Sequence, residues 1–365
     1  MPWIEREYSK GQIDRAGDAL ISLGRDDPAR EDAVAIVDNW RGCHAYPLQV
    51  IKMTLLHRAI KINNQALIAQ RLKRLSSIEL KLLHNSNMKL SQVQDIGGCR
   101  AVLNNVKEVE QLVEVYKDFH AKSGAKGSKD ELRTRSFWDG SEAFDYIKNP
   151  KADGYRSVHL IFRFQSPSAE KKIFNGQRIE IQIRSRLQHA WATAVETAQL
   201  FTGQALKARI KDASENWLRF FALSSAAFAR REKTKGVPNT PENARDLVTE
   251  LSRIESHEQI ITSLLSWNNT IHYIEESRSR DAHTFLMVLD PTKRTLQVSQ
   301  FKKNQIMEAQ ERYRLTEKET EGDSRIQAVL VSVESVNDLR KAYPNYYVDT
   351  KEFVKALQRE LRVKK

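Results

Sequence analysis

The sequence predicts an α+β protein: a mixed sheet flanked by helices, followed by a small β-β-α-β-α unit near the C-terminal end. Three observations carry this. Ile179, Ile181 and Ile183 alternate with Glu180, Gln182 and Arg184, the period-two pattern of a strand with one apolar and one polar face. Strand-like runs at Arg100–Asn104 and Ser157–Phe164 are separated by a helical pattern at Val106–Lys122, an alternation that builds a sheet with helices against it. From Ala282 the texture changes. Strand runs at His283–Asp290 and Leu296–Phe301 flank the turn Pro291-Thr-Lys-Arg294. A charged helix to about Glu319, a strand at Ile326–Val333 and helices around Val336–Ala342 and Thr350–Leu361 follow.

The remaining elements are read in order. Residues 1–50 form an N-terminal helical region, with helix signals at Gly11–Leu23 and Pro28–Asn39. Residues 47–83 read as one long helical region, with apolar positions at Ile51, Leu55, Leu56, Ile60, Ile68, Leu72, Leu75 and Leu82. Lys73, Ser77 and Lys81 recur every four residues and so share one face of that helix. The charged stretch Ser123–Asp139 reads as a loop. Helical pattern then dominates Leu187–Ser277, broken at Gly236-Val-Pro-Asn-Thr-Pro241. The expected division is 1–50, 51–205 as the main unit, 206–280 as a helical connector and 281–365 as a separate small domain.

Composition narrows the function. The chain has 365 residues and is 40% hydrophobic, which suits two or three globular units. No apolar run is long enough to span a membrane and no signal-peptide pattern opens the chain, so a cytoplasmic location is expected. Two cysteines, Cys43 and Cys99, exclude a disulfide framework and a cysteine-based zinc site. The net charge of +12 and pI near 9.5 serve solubility or attract a polyanion such as RNA. For RNA phosphates the candidates are Lys52, Arg58, Lys61, Arg209 and Lys211.

Three short segments carry chemistry: Asp95-Ile-Gly-Gly-Cys-Arg100, Gly154-Tyr-Arg-Ser-Val-His159 and Glu180-Ile-Gln-Ile-Arg184. Two carboxylates can hold a divalent metal, cations can hold phosphates, and a ring on a glycine turn can meet a base. Together they describe a nucleotide-dependent phosphoryl-transfer site. Each residue alone has a plainer reading: a loop aspartate, a solvated strand glutamate, a charged helix face, a core tyrosine, a half-buried histidine. No Walker A pattern is present.

In this order, and preceded by Arg71-Leu-Lys-Arg-Leu-Ser-Ser-Ile-Glu-Leu-Lys81, the segments resemble the synthetase domain of the RelA/SpoT family over roughly residues 50–200. The resemblance implies a nucleotidyltransferase-like fold and transfer of the pyrophosphate of ATP to a ribose 3′-hydroxyl. It implies Mg²⁺ on Asp95 and Glu180, with Glu180 as ligand, general base or both, and Arg100 as a catalytic cation. Arg71, Lys73, Ser77, Lys81 and Arg100 would bind ATP. Tyr155 would stack on the acceptor's base, with His159, Gln182, Arg184 and His189 around the acceptor. The His189-Ala-Trp-Ala stretch departs from the long members, which have His, two spacers, then Ala-Glu; it is similar to small single-domain synthetases. Long bifunctional members carry a His-Asp hydrolase domain, and no His-Asp dipeptide occurs here.

The C-terminal unit resembles a zinc-finger-like module without metal ligands, since no cysteine follows Cys99, and no zinc is expected. Its Tyr343-Pro-Asn-Tyr346 is similar to the fused toxin–antitoxin branch of the family, the CapRel type. There the C-terminal module covers the ATP site and releases it when a phage capsid protein binds. The expectation is therefore an autoinhibited anti-phage pyrophosphokinase that modifies the 3′ end of tRNA and blocks translation, with Tyr343 and Tyr346 as regulatory residues. Two rival readings are an alarmone synthetase with GTP or GDP as acceptor, and an inactive RNA-binding regulator.

Overall fold

The computed structural model describes residues 3–123, 135–136, 145–202, 215–270, 272–275, 282–320, 326–333, 339–340, 342–344, 346–347 and 349–362. Helix α1 (Lys10–Ser22) opens with a capping box, in which Ser9 and Gln12 satisfy each other's backbone N–H groups. Helix α2 (Pro28–Gly42) starts at a proline, and Asp27 accepts from the Ala29 N–H. Helix α3 (Ala45–Ile62) ends in an extended Asn63, whose side chain accepts from the Gln65 N–H and turns the chain.

The long helix expected over residues 47–83 is interrupted. Strand β1 (Leu67–Leu72) follows α3, and only then comes α4 (Leu75–His84). The reason is tertiary. β1 pairs antiparallel with β2 (Gly97–Leu103) from Leu67↔Val102 to Leu72↔Gly97, so strand pairing overrides a period that also suited a helix. Ser77 and Lys81 share α4, whereas Lys73 precedes it.

Helix α5 (Val106–Ser123), the short β3 (Arg135–Ser136), β4 (Val158–Arg163) and β5 (Arg178–Ser185) complete the central unit. Of the loop expected at Ser123–Asp139, Ser123 ends α5, Arg135 and Ser136 form β3, and the rest lies outside the described residues. Helices α6 (Arg186–Thr202), α7 (Glu215–Glu232), α8 (Ala244–Glu258) and α9 (Ile260–Thr270) follow. The helical pattern stops short of Ser277, because β6 (His272–Glu275) pairs parallel with β8 (Thr295–Lys302). With β7 (Ala282–Asp290), α10 (Ile306–Thr320), β9 (Gln327–Ser332) and α11 (Lys351–Arg362), the C-terminal unit has the expected strand and helix order. Of the helix expected at Val336–Ala342, residues 336–338 and 341 lie outside the described residues.

The strands form one mixed sheet in the order β3-β4-β5-β2-β1-β9-β7-β8-β6. The C-terminal strands thus continue the central sheet, joined through Gln70↔Ser332 and Arg71↔Val331. One face of the central strands is apolar. Ile179, Ile181 and Ile183 are fully buried against α3 and α5, beside Leu55, Val109 and Leu112. Each such side chain contributes about 1.5–3 kcal/mol on burial. The other face carries the polar residues of the same strands. Helices α6–α9 and α11 build a second core around Phe220, Phe228 and Phe353. No described helix is long and apolar enough to cross a membrane.

Candidate active site

Sheet register assembles the site. On parallel β2 and β5, Gly98 stands beside Glu180 and Arg100 beside Gln182. On β4, His159 pairs with Gln182, and on β1, Arg71 pairs with Gly98. Paired residues share a face, so Arg71, Arg100, His159, Glu180 and Gln182 converge. Gly98 keeps the floor open, since nothing lies within 4 Å of where its Cβ would stand. Asp95 enters from the turn before β2.

Asp95 is gripped from two sides. Lys73 Nζ donates to Oδ2 at 2.7 Å and Lys81 Nζ to Oδ1 at 2.8 Å. Burial pushes the carboxyl pKa up, but the two lysines win and hold it well below the usual range. The Lys73 N–H donates to Ile96 O at 2.8 Å, which fixes this lysine beside the turn that carries Asp95. Although Lys73 is not on the helix, it and Lys81 meet at the same carboxylate.

Glu180 belongs to a closed ring of side chains. Its Oε1 lies 2.9 Å from His159 Nδ1. His159 Nε2 is 2.7 Å from the Tyr155 hydroxyl. Arg184 Nη2 donates to that hydroxyl and to Gln182 Oε1, each at 2.7 Å, and Gln182 Nε2 donates back to Glu180 at 2.7 Å. Burial would lower the His159 pKa, but Tyr155 and Glu180 raise it to about 9. Burial would raise that of Tyr155, but Arg184 and His159 draw it down to about 8. Against its own burial, Glu180 is held below its usual value by His159. The Glu180–His159 pair is therefore a carboxylate facing an imidazolium.

The site is rich in donors. Burial, and then Arg184, pulls the Arg100 pKa down to about 10, partly offset by Glu196. Among the described residues, Arg100 Nε and Arg184 Nη1 are buried without a hydrogen-bond partner. Crowded guanidiniums with unused donors suit a phosphate-bearing ligand. Glu196, one residue outside the expected set, influences both Arg71 and Arg100 from α6. Its signal in the sequence was only its spacing from His189.

Two cavities adjoin the ring. One is lined by Arg71, Asp95, Gly98, Arg100, Glu180 and Gln182, together with Tyr343. The other, of about 170 Å³, is walled by Trp191 and Phe221 and rimmed by Lys151, Asp153, Tyr155 and His159. Lys151 Nζ lies 5.4 Å and Arg184 Cζ 5.2 Å from the Tyr155 ring centroid. Ser77 is half-buried on α4. His189 is buried on α6 and lines neither cavity.

The C-terminal segment reaches the first cavity. Arg100 Nη1 donates to Ala342 O at 3.2 Å, and its guanidinium lies 5.9 Å from the Tyr343 ring centroid. The Tyr343 hydroxyl donates to Gln70 O at 2.8 Å. Tyr346 packs near Tyr343, ring centroids 6.5 Å apart, and both are buried.

Among the expected RNA contacts, Lys52 is corrected: it is buried, on the apolar side of α3. Arg58 lies over the Tyr116 ring at 4.4 Å. Lys61 is exposed, and Arg209 and Lys211 lie outside the described residues. No group of three or more His, Cys, Asp or Glu able to hold a metal occurs among the described residues. Asp95 and Glu180 line one cavity and offer the hard oxygens that Mg²⁺ takes beside water and phosphate, but Lys73 and Lys81 already hold both Asp95 oxygens, so a metal there has to share them.

Two carboxylates beside clustered cationic side chains, with an aromatic cavity adjoining, suit nucleotide-dependent phosphoryl transfer. The comparisons with known proteins support a pyrophosphokinase enzyme. Residues 70–201 match the family described as the region found in RelA / SpoT proteins. That span includes Arg71, Lys73, Asp95, Arg100, Tyr155, Glu180 and Arg184, and it ends before the C-terminal unit. The GTP pyrophosphokinase YjbM of Bacillus subtilis (strain 168) is 29% identical over 161 residues, covering 40% of this chain and 67% of that protein. The small alarmone synthetase 2 of Bacillus subtilis is 19% identical, with 53% of this chain and 93% of that one covered and a TM-score of 0.39. The small alarmone synthetase 1 of Bacillus subtilis, bound to its product pppGpp, is 20% identical, with 54% and 92% covered and a TM-score of 0.39.

Proposed function

We propose that this chain is an autoinhibited, ATP-dependent pyrophosphokinase that acts on the 3′-hydroxyl of the terminal adenosine of tRNA. One observation carries the autoinhibition: Arg100, in the cavity of Asp95 and Glu180, is engaged by Ala342 O and the Tyr343 ring. A triphosphate using Arg71 and Arg100 has to displace that cover. Residues 281–365 then act as an antitoxin-like module, zinc-finger-like without metal, on a synthetase at 51–205.

The geometry supports the following roles. Arg71, Lys73, Lys81 and Arg100 bind the ATP phosphates, with Ser77 nearby on α4. Asp95 and Glu180 would hold Mg²⁺, which supplies charge neutralisation at non-bridging phosphate oxygens. Tyr155 and the larger cavity take the acceptor's base, with His159, Gln182 and Arg184 fixing its ribose. The 3′-oxygen attacks the β-phosphorus of ATP, the bond from that phosphorus to the α,β-bridging oxygen breaks, and AMP leaves. Glu180, kept ionised by His159, takes the hydroxyl proton.

The net charge of +12 supports the tRNA acceptor. Similarity to a GTP pyrophosphokinase supports a second reading, an alarmone synthetase acting on GTP or GDP. The Tyr343-Pro-Asn-Tyr346 resemblance supports a phage capsid protein as trigger and a role in antiviral defence in the cytoplasm, through arrest of translation. The test is to incubate the full chain with γ-³²P-ATP and either bulk tRNA or GTP, with and without phage capsid protein. Label at the tRNA 3′ end only when capsid is present is the expected result. Label in GTP alone establishes the second reading, and no label in either acceptor overturns both.

A further inference from the structure

We propose that Glu232, at the end of α7, is a positioning residue that sets the mutual register of Tyr155 and Arg184 and thereby the acceptor side of the site. The inference rests on reading Tyr155 as an acceptor residue. Glu232 lies outside the span 70–201 that matches the family.

The argument is one of attachment. The Glu232 carboxylate accepts from Arg156 Nη1 at 2.6 Å, from the Ser185 hydroxyl, and from Gln188 Nε2 at 3.3 Å. Arg156 directly follows Tyr155, and Ser185 directly follows Arg184. One buried carboxylate thus ties together the neighbours of two residues whose side chains meet at 2.7 Å in the ring. Helix α7 makes a second attachment. Arg156 Nε donates to Ser225 Oγ at 3.1 Å, and the Ser225 hydroxyl donates to Gly154 O at 2.5 Å. Gly154 adopts φ +96°, and a Cβ there would stand 2.9 Å from Trp191 and 3.0 Å from Ser225. The turn that presents Tyr155 is therefore clamped to α7 at both its carbonyl and its following side chain. The larger cavity is walled by the same helix, through Leu218 and Phe221. A buried ion pair adds little net stability over apolar packing, but its directional hydrogen bonds fix geometry.

The test uses the full chain carrying Tyr343→Phe to relieve the C-terminal cover, with Glu232→Gln, Ser225→Ala and the double change Arg156→Met/Glu232→Leu. The double variant leaves no buried charge unpaired, and Ser225→Ala removes a single hydroxyl, so both are expected to fold. Two readouts are taken beside thermal melting. The first is the tyrosinate absorbance titration, with the Tyr155 transition identified by its loss in Tyr155→Phe. The second is acceptor KM against ATP KM. For Glu232→Gln and the double variant we expect the Tyr155 transition to move up by about one pH unit. We also expect acceptor KM to rise about tenfold, with ATP KM within about twofold of the parent. Ser225→Ala should shift both in the same direction by less. An unmoved titration overturns the proposal whether or not the parent transfers label. So does a moved titration with unchanged acceptor KM, or a parallel loss of ATP and acceptor binding with lowered melting in all three variants. A parent that labels no acceptor counts against the transfer reading, while the titration still decides whether the clamp exists.

Discussion

Glu180 and His159 face each other from neighbouring strands, Oε1 to Nδ1 at 2.9 Å, each with 13% of its side chain exposed. The histidine pKa is raised from 6.5 to about 9, despite burial, by Tyr155 and Glu180. A raised pKa means that the pair's stabilisation is fully present below pH 6.5 and is lost as pH climbs through 9. Wild-type protein should therefore lose melting temperature over this window. His159→Gln should melt lower at pH 6 and show a flatter pH profile. Parallel profiles for the two proteins would contradict the pairing.

The carboxylates should be indispensable for transfer. Glu180→Gln and Asp95→Asn should each lower transfer by at least about 10²-fold. Asp95→Asn should also destabilise by about 1–3 kcal/mol, because Lys73, only 12% exposed, loses its partner. Purified Glu180→Gln with normal labelling of tRNA or GTP would remove the basis of the proposed chemistry.

Tyr155 offers a ring and a hydroxyl, and the two can be told apart. Tyr155→Ala should eliminate transfer, since base stacking contributes about 1–3 kcal/mol and the larger cavity loses a wall. Tyr155→Phe keeps the ring but deprives Arg184 and His159 of their shared acceptor. We expect near-normal acceptor KM and a kcat lowered about tenfold. Equal loss of KM in both variants would refute stacking.

On the proposed autoinhibited reading, Tyr343 restrains the site through a bond that can be removed singly. Tyr343→Phe loses the donation to Gln70 O and little packing. One hydrogen bond contributes about 1 kcal/mol, so untriggered labelling should rise about fivefold. Unchanged basal labelling would show that this bond does not hold the cover.

Salt discriminates the acceptors. Labelling of tRNA should fall at least about tenfold between 50 and 200 mM salt, while labelling of GTP should change about twofold or less. Lys61→Gln should weaken tRNA labelling alone. Identical salt slopes would argue against a polyanionic acceptor.

What could be read in the sequence depended on how local the cause was. The alternation over Ile179–Arg184 is written into six consecutive residues of β5, and its two faces emerged as read. The convergence of Asp95, Arg100, Tyr155 and Glu180 followed from motif order, and the sheet register supplies the physical reason. Strand β1 was hidden because Ile68, Leu72 and Leu75 continue a helical period, while its pairing partners lie at residues 97–102 and 331–332. The Arg156–Glu232 pair spans 76 residues and leaves no local trace. The two-lysine grip on Asp95 was half legible. The residues were named, but their shared helix face was an accident of spacing.

On the proposed autoinhibited reading, the pairing of β9 with β1 has a consequence for the opened enzyme. Among the described residues the two strands pair at Gln70 and Arg71, a short seam backed by Arg41 to Glu317 and by Tyr343 to Gln70 O. A chain that swings its C-terminal unit away turns β1 into an edge strand, and its unpaired N–H and C=O groups invite another strand to dock. Activation would thus create a sticky rim next to the phosphate-binding residues. An activator that supplied an extended segment there would keep the enzyme open by occupying the vacated place, and an opened enzyme without such a guest would be prone to self-association.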